Sequence, residues 1–184
     1  MILSSKMKDK NLVWIDLEMT GLDPMRDKIL EIATLVTDSN LNILKEAPTF
    51  FISQAQSTID TMDEWNSKHH SESGLLDLIR TKGVNEEYAE AKVIEAISPY
   101  INPGVSPLCG NSIWQDRRFL ERYMPNLNKV FHYRNVDVSS IKELVRRWSP
   151  EIAMKLKKTE AHRALEDIKE SIMELKYYRD NCFK

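Results

Sequence analysis

The stretch LVWIDLEMTGLDP, residues 12–24, decides how the chain begins to fold. Side chains alternate along a strand, so Val13, Ile15 and Leu17 share one face, and Trp14, Asp16 and Glu18 share the other. GLDP, residues 21–24, is a turn. Asp16 and Glu18 repel each other unless something neutralises them. Two readings of this pair stand open on these residues alone: a solvated strand end, or a site for a hard divalent cation that takes oxygen ligands.

Outward from this strand, ILEIATLVTD (29–38) reads as a second strand and NILKEAPTFFIS (42–53) as a third, with residues 39–40 as the hairpin turn. The hydrophobic period then changes. Thr61 and Glu64 have capping-box spacing and open a helix through MDEWNSKHH. SGLLDLIRTKG is a short helix ending near Gly83, and Asn85 caps a helix through EEYAEAKVIEAISPYI. SPLCGNS is a short buried strand, SIWQDRRFLERYM a helix stopped near Pro125, and NVDVS a further strand. Ser140 with Glu143 caps IKELVRRW, and a last helix runs from about Ala161 to Tyr178. The order predicts an α/β fold with a mixed β-sheet: three antiparallel strands first, then parallel additions, flanked by α-helices.

The 184 residues suit one domain with a sizeable core, spanning 1–184 with residues 1–10 as a loose N-terminal segment. Met7 is a second candidate start. Hydrophobic residues make up 42% and charged residues 29%, the balance of a soluble globular protein. No apolar run approaches the roughly 20 residues needed to span a bilayer, and the start lacks the apolar core of a secretion signal. Two cysteines make no disulfide framework, so a reducing cytoplasm is the expected setting. A net charge of −2 argues against a protein that tracks along a long nucleic acid, but not against a small anionic substrate held by a few cations.

Two more acidic residues stand out. In SIWQDRRFLERY, the residues Ile113, Phe119, Leu120 and Tyr123 form an apolar helical stripe, and Asp116 lies on it. A carboxylate facing a core needs a partner. A basic side chain or a metal would serve. In EAHRALEDIKESI, the residues Leu165, Ile168, Ile172 and Leu175 form the buried stripe, with Asp167 on its flank. His162 is five residues earlier, about 140° away around an ideal helix. The two converge if His162 sits at the loop entry to the helix; otherwise His162 is a surface or capping residue.

Taken together, D-x-E, then D, then H-x4-D, with WIDLEMTGLDP, EIATLVTD, CGNSIWQDRRFL, FHYRNVDVSS and AHRALEDI, resemble the oligoribonuclease family. These are DEDDh 3′-to-5′ exonucleases of the ribonuclease H-like superfamily, and the resemblance runs from about Asn11 to the C-terminus. It implies that Asp16, Glu18, Asp116 and Asp167 hold two divalent ions, Mg2+ or Mn2+, with Asp16 bridging both. Such ions, roughly 3.5–4 Å apart, clamp the attacking and leaving oxygens of an in-line displacement. His162 resembles the general base. The products would be nucleoside 5′-monophosphates.

The resemblance also implies a substrate of very short single-stranded RNA, especially dinucleotides. Leu22 and Trp65 would flank or stack on the bases. Ser112, Arg134 and Ser139, with His70 and Tyr133, match residues that cap the 5′ phosphate. The family is homodimeric, with the tyrosine matching Tyr133 reaching the site from the partner chain. Without the family match, Trp65 reads as a core anchor and Arg134 as a surface ion. Trp114 departs from the family, which has a smaller residue there. The rival readings are a proofreading or repair DNA exonuclease on the same fold, which FHYR and the Trp65 region disfavour, and a binding module that has lost its chemistry.

Overall fold

The computed structural model describes residues 5–155 and 163–183. Its strands are β1 (Leu12–Met19), β2 (Ile29–Thr37), β3 (Ile43–Glu46), β4 (Phe50–Phe51), β5 (Leu108–Gly110) and β6 (Asn135–Asp137). They form one sheet in the order β3-β2-β1-β5-β6, with β4 also paired to β2. β1 to β4 pair antiparallel, while β5 and β6 add in parallel. This is the mixed sheet expected from the order of the elements.

The third strand differs from expectation. It breaks into β3 and β4, because Pro48 has no N–H to give to the ladder. The flanking residues keep the pairing, with Ala47 N–H on Thr34 O and Ile52 N–H on Leu30 O.

The helices are α1 (Ser5–Lys8), α2 (Gln56–Ile59), α3 (Glu64–Glu72), α4 (Leu75–Lys82), α5 (Glu86–Ile97), α6 (Ile113–Tyr123), α7 (Pro125–Val130), α8 (Val138–Trp148), α9 (Pro150–Ala153) and α10 (Ala164–Cys182). Asn85 caps α5, accepting the Tyr88 N–H at 2.7 Å. Two other caps move. Asp63, not Thr61, opens α3 by accepting the Asn66 N–H, and the Thr61 hydroxyl instead donates to Thr58 O at the end of α2. Asp137, not Ser140, opens α8 by accepting the Ser139 N–H, which ends the strand NVDVS at Asp137. Pro125 stops α6 but starts α7, since proline suits a helix's first turn. Ala161, the expected start of the last helix, lies outside the described residues; α10 begins at Ala164 and runs on to Cys182.

Alternation along β1 sorts the helices onto two faces. Val13, Ile15 and Leu17 pack with Val93, Ile97, Ile113, Phe119 and Leu120 of α5 and α6. Trp14 packs on the opposite side with Ala164, Ile168, Ile172 and Tyr178 of α10 and with Val145 of α8. Asp16 and Glu18 follow Trp14 in phase, so they face the helix that carries Asp167. β2 is buried along its whole length between the two layers, as its nearly unbroken apolar sequence requires. Near the N-terminus, α1 forms a single turn and Asp9 accepts a hydrogen bond from Asn102. No helix among the described residues is long and apolar enough to cross a membrane.

Candidate active site

The site lies at the C-terminal ends of the parallel strands β1 and β5, where open α/β sheets place their ligands. Asp16 and Glu18 come from β1, and Asp167 from the first turn of α10. Each offers a carboxylate oxygen within 4.8 Å of the others. Oxygens bound at about 2.0–2.6 Å to one ion lie at most ~5 Å apart, so this donor set fits a hard divalent cation. Asp116, 6% exposed, approaches from α6. β5 pairs with β1 only at Val13 and Trp14. Further along, the Leu17 N–H donates to Asp116 Oδ1 at 3.0 Å.

The electrostatics are those of a site built for positive charge. Burial pushes the Glu18 carboxyl up to about 8, helped by Glu31, Asp167 and Asp116 and opposed by Arg163. Burial also pushes Asp116 up to about 7, against the lowering effect of the Leu17 N–H. Asp16 is raised well above its ordinary value, by burial first and then by Asp116, Glu18, Asp167 and Glu31. A bound cation would reverse the sense of these shifts.

The expected general base, His162, lies outside the described residues. Its neighbour Arg163 is described. It grips Glu31 through Nε (3.2 Å) and Nη2 (3.1 Å). The sequence reading assigned roles to neither residue. The available signal was a lone acid in the otherwise apolar run ILEIATLV, since a buried charge needs a partner.

Leu22 and Trp65, both exposed, line one cleft of about 1010 Å3 with Thr20, Asp63 and Asn66. Trp65 is 67% exposed and no core anchor; its ring stacks on His69, with centroids 4.8 Å apart and planes at 7°. Leu22 is held by its carbonyl, which accepts a hydrogen bond from Gln115 Nε2 at 2.5 Å. Asp27 staples the turn below, accepting the Asp23 N–H and the Thr20 hydroxyl. A Cβ at Gly21 would sit 2.5 Å from that carboxylate, so any larger residue there would have to push the Asp27 side chain off these bonds.

Ser112 and Ser139 meet at a second place. The Ser112 N–H donates to Ser139 Oγ (2.6 Å) and to Asp137 Oδ1 (3.0 Å), and the two hydroxyls are 3.0 Å apart. Ser112 adopts φ 52°, a left-handed conformation that costs a non-glycine residue and is held by these bonds. Asn111 supports the pair from behind, accepting from the Ser139 hydroxyl and donating to Ser171 and Glu174 of α10.

Tyr133 and Arg134 lie together on the surface, the guanidinium 5.2 Å from the ring centre. Arg117 holds their loop by donating to His132 O and Asn135 Oδ1. His70 is elsewhere: it is buried, its Nε2–H donates to Met19 O at 2.9 Å, and its Nδ1 is 3.9 Å from Glu18 Oε2. It therefore borders the acidic cluster. Trp114 is exposed beside Ser112 and Ser139, under the Arg118 guanidinium.

A mixed sheet between helical layers, with acids from β1, α6 and α10 brought to the sheet's end, is the ribonuclease H-like architecture. The RNase_T family model, described as exonuclease, matches residues 13–175. The chain belongs to that family, in its oligoribonuclease branch. It is 57% identical to an oligoribonuclease of Shewanella loihica over 96% of this chain and 97% of that one. It is 58% identical to another from Shewanella putrefaciens over 95% and 96%. Among solved structures, exonuclease I of Methylocaldum szegediense superposes with a TM-score of 0.70 at 20% identity, over 95% of this chain and 41% of that one. The zinc-bound E. coli exonuclease I complex with single-stranded DNA gives 0.68 at 17% identity, over 94% and 41%. These two likenesses speak for the fold; this chain spans about two fifths of those longer proteins.

Proposed function

We propose that the chain is a 3′-to-5′ exoribonuclease that hydrolyses very short RNA, dinucleotides above all, to nucleoside 5′-monophosphates in the cytoplasm. The observation that carries this reading is the convergence of Asp16, Glu18 and Asp167, with Asp116 beside them, in a chain so similar to oligoribonucleases. Asp16, Glu18, Asp116 and Asp167 would hold two Mg2+ or Mn2+ ions. When bound, such ions supply Lewis acidity and neutralise charge at the scissile phosphate.

The chain's own residues do the rest. His162 takes the proton of the attacking water, a role suited to a histidine whose unperturbed pKa is near ~6.5. Leu22 and Trp65 present apolar surface to the bases, and stacking of this kind carries no sequence preference. Ser112 and Ser139 offer hydroxyls, and Arg134 a charge, to the 5′-terminal phosphate. Tyr133 completes that cap from the partner chain of a homodimer. His70 closes the acidic end from the side of Met19. The cap explains a length limit in physical terms, because a third nucleotide would need the space the cap fills. The whole chain acts as one exonuclease domain.

The test is a series of 5′-phosphorylated RNAs from two to seven nucleotides, with a deoxy dinucleotide beside them, assayed with Mg2+, with Mn2+ and with chelator. The expected result is fastest turnover of the RNA dinucleotide, abolished by chelation. A rate profile flat in length, or a faster deoxy substrate, overturns the reading.

A further inference from the structure

We propose that Arg163 and Glu31 are positioning residues of the metal centre: their ion pair fixes the helix-borne ligand Asp167 against the strand-borne ligand Glu18. Glu31 is 1% exposed on β2, and its cross-strand partner in the register is Glu18. Both of its oxygens accept from the Arg163 fork, so Glu31 acts here as an anchor and not as a spare metal ligand. A two-bond guanidinium–carboxylate contact sets orientation as well as distance. The ring of Phe51, which pairs with Glu31 in the register, lies 5.5 Å from the Arg163 guanidinium and brackets it.

From Arg163 the constraint passes directly into α10. Arg163 is the residue before the helix, and no side-chain cap fixes that end. Its carbonyl accepts the N–H of Glu166 at 2.9 Å and of Asp167 at 3.0 Å. The route is therefore Glu18 to Glu31 across the strands, Glu31 to Arg163 through the ion pair, and Arg163 to Asp167 through the first helical bond. Glu31 is buried while the Arg163 side chain is partly exposed, and such an ion pair adds little stability over a well-packed apolar pair. Its contribution here is geometry, and partners that orient a metal ligand typically matter about 10–100-fold in metal affinity or activity.

The inference rests on the metal-centre reading, and the experiment separates the two. Mn2+ binding is measured by calorimetry on substrate-free protein, alongside metal-free melting and dinucleotide turnover, for wild type, Arg163→Lys and the double variant Glu31→Met with Arg163→Met. The double variant removes both charges, so no unpaired buried carboxylate remains to unfold it. The expected result is near-wild-type melting, with Mn2+ affinity and turnover both down on the order of tenfold or more in the double variant and less in Arg163→Lys. A folded double variant that binds Mn2+ like wild type overturns the proposal. Should that variant not fold, Arg163→Lys decides: unchanged Mn2+ affinity overturns the proposal, and a loss with intact melting supports it. Wild-type protein that takes up no Mn2+ removes the metal-centre reading, and the clamp with it.

Discussion

The carboxylate of Asp116 accepts the backbone N–H of Leu17 at 3.0 Å, across 99 residues of sequence. Leu17 sits between Asp16 and Glu18, so this bond fixes a third acid relative to the first two. It forms where β1 has run past the last residues it pairs with on β5. A shorter parallel neighbour thus leaves a donor that helix α6 uses to deliver its acid.

That geometry separates two roles of Asp116. An asparagine keeps an oxygen for the Leu17 N–H and removes the charge. Asp116→Asn should therefore melt at or above the wild-type temperature without metal, since it relieves repulsion. Its turnover of a dinucleotide should fall by at least the ~10–100-fold that losing even an outer partner of a metal ligand costs. Calorimetric melting with a dinucleotide assay checks this, and wild-type turnover would remove Asp116 from the centre.

The raised carboxyls predict how pH and metal trade against each other. Glu18 moves from an ordinary 4.5 up to about 8, and Asp116 from 3.8 to about 7. A carboxyl raised on folding holds its proton more tightly folded than unfolded. Its contribution is fully present below the unfolded value and is lost as pH rises through the folded one. Metal-free protein should thus lose melting temperature between about pH 5 and about pH 8. Divalent ions need the deprotonated groups, so the rise in melting temperature on adding Mg2+ should be larger at about pH 8 than at about pH 6. Equal rises at both would contradict the assignment.

His162→Ala should slow the chemical step more than it weakens binding. A general base contributes roughly 10²–10⁴-fold. Single-turnover rates and dinucleotide affinity with metal present separate the two. Collapsed binding with an unchanged single-turnover rate would make His162 a contact.

Local chemistry carried much of this fold into view, because alternation and capping are local. The phase of Asp16 and Glu18 followed from β1 alone, and Asn85 opened its helix as its side chain allows. Capping-box spacing pointed to Thr61 for the start of α3, because spacing does not report what else a side chain bonds. Thr61 was already engaged by the turn behind it, and Asp63 took the cap. The break between β3 and β4 at Pro48 is a single missing donor inside a run that otherwise reads as one strand. Glu31 and Arg163 are 132 residues apart, and no local pattern links an acid in a strand to a base before a helix. The Gln115 bond to Leu22 is hidden in the same way, since it joins a helix to a turn 93 residues away.

Tyr133 provides the test of assembly. It is 72% exposed, and its ring carries Arg134 through a cation–π contact. Tyrosine and arginine side by side on a surface loop suit an interface, where both are enriched. If Tyr133 serves the partner's site, Asp116→Asn and Tyr133→Ala fail in complementary ways. Each homodimer is poorly active on a dinucleotide, the first for want of a ligand and the second for want of part of the cap. In a mixed dimer, the chain with intact acids faces a partner with an intact Tyr133, and one whole site is rebuilt. Activity after subunit exchange should rise above the sum of the separate proteins, towards half that of wild type per exchanged dimer. Exchange is verified by mass difference between tagged chains. Verified exchange with no gain would place Tyr133 in the service of its own chain, and the shared site would be abandoned.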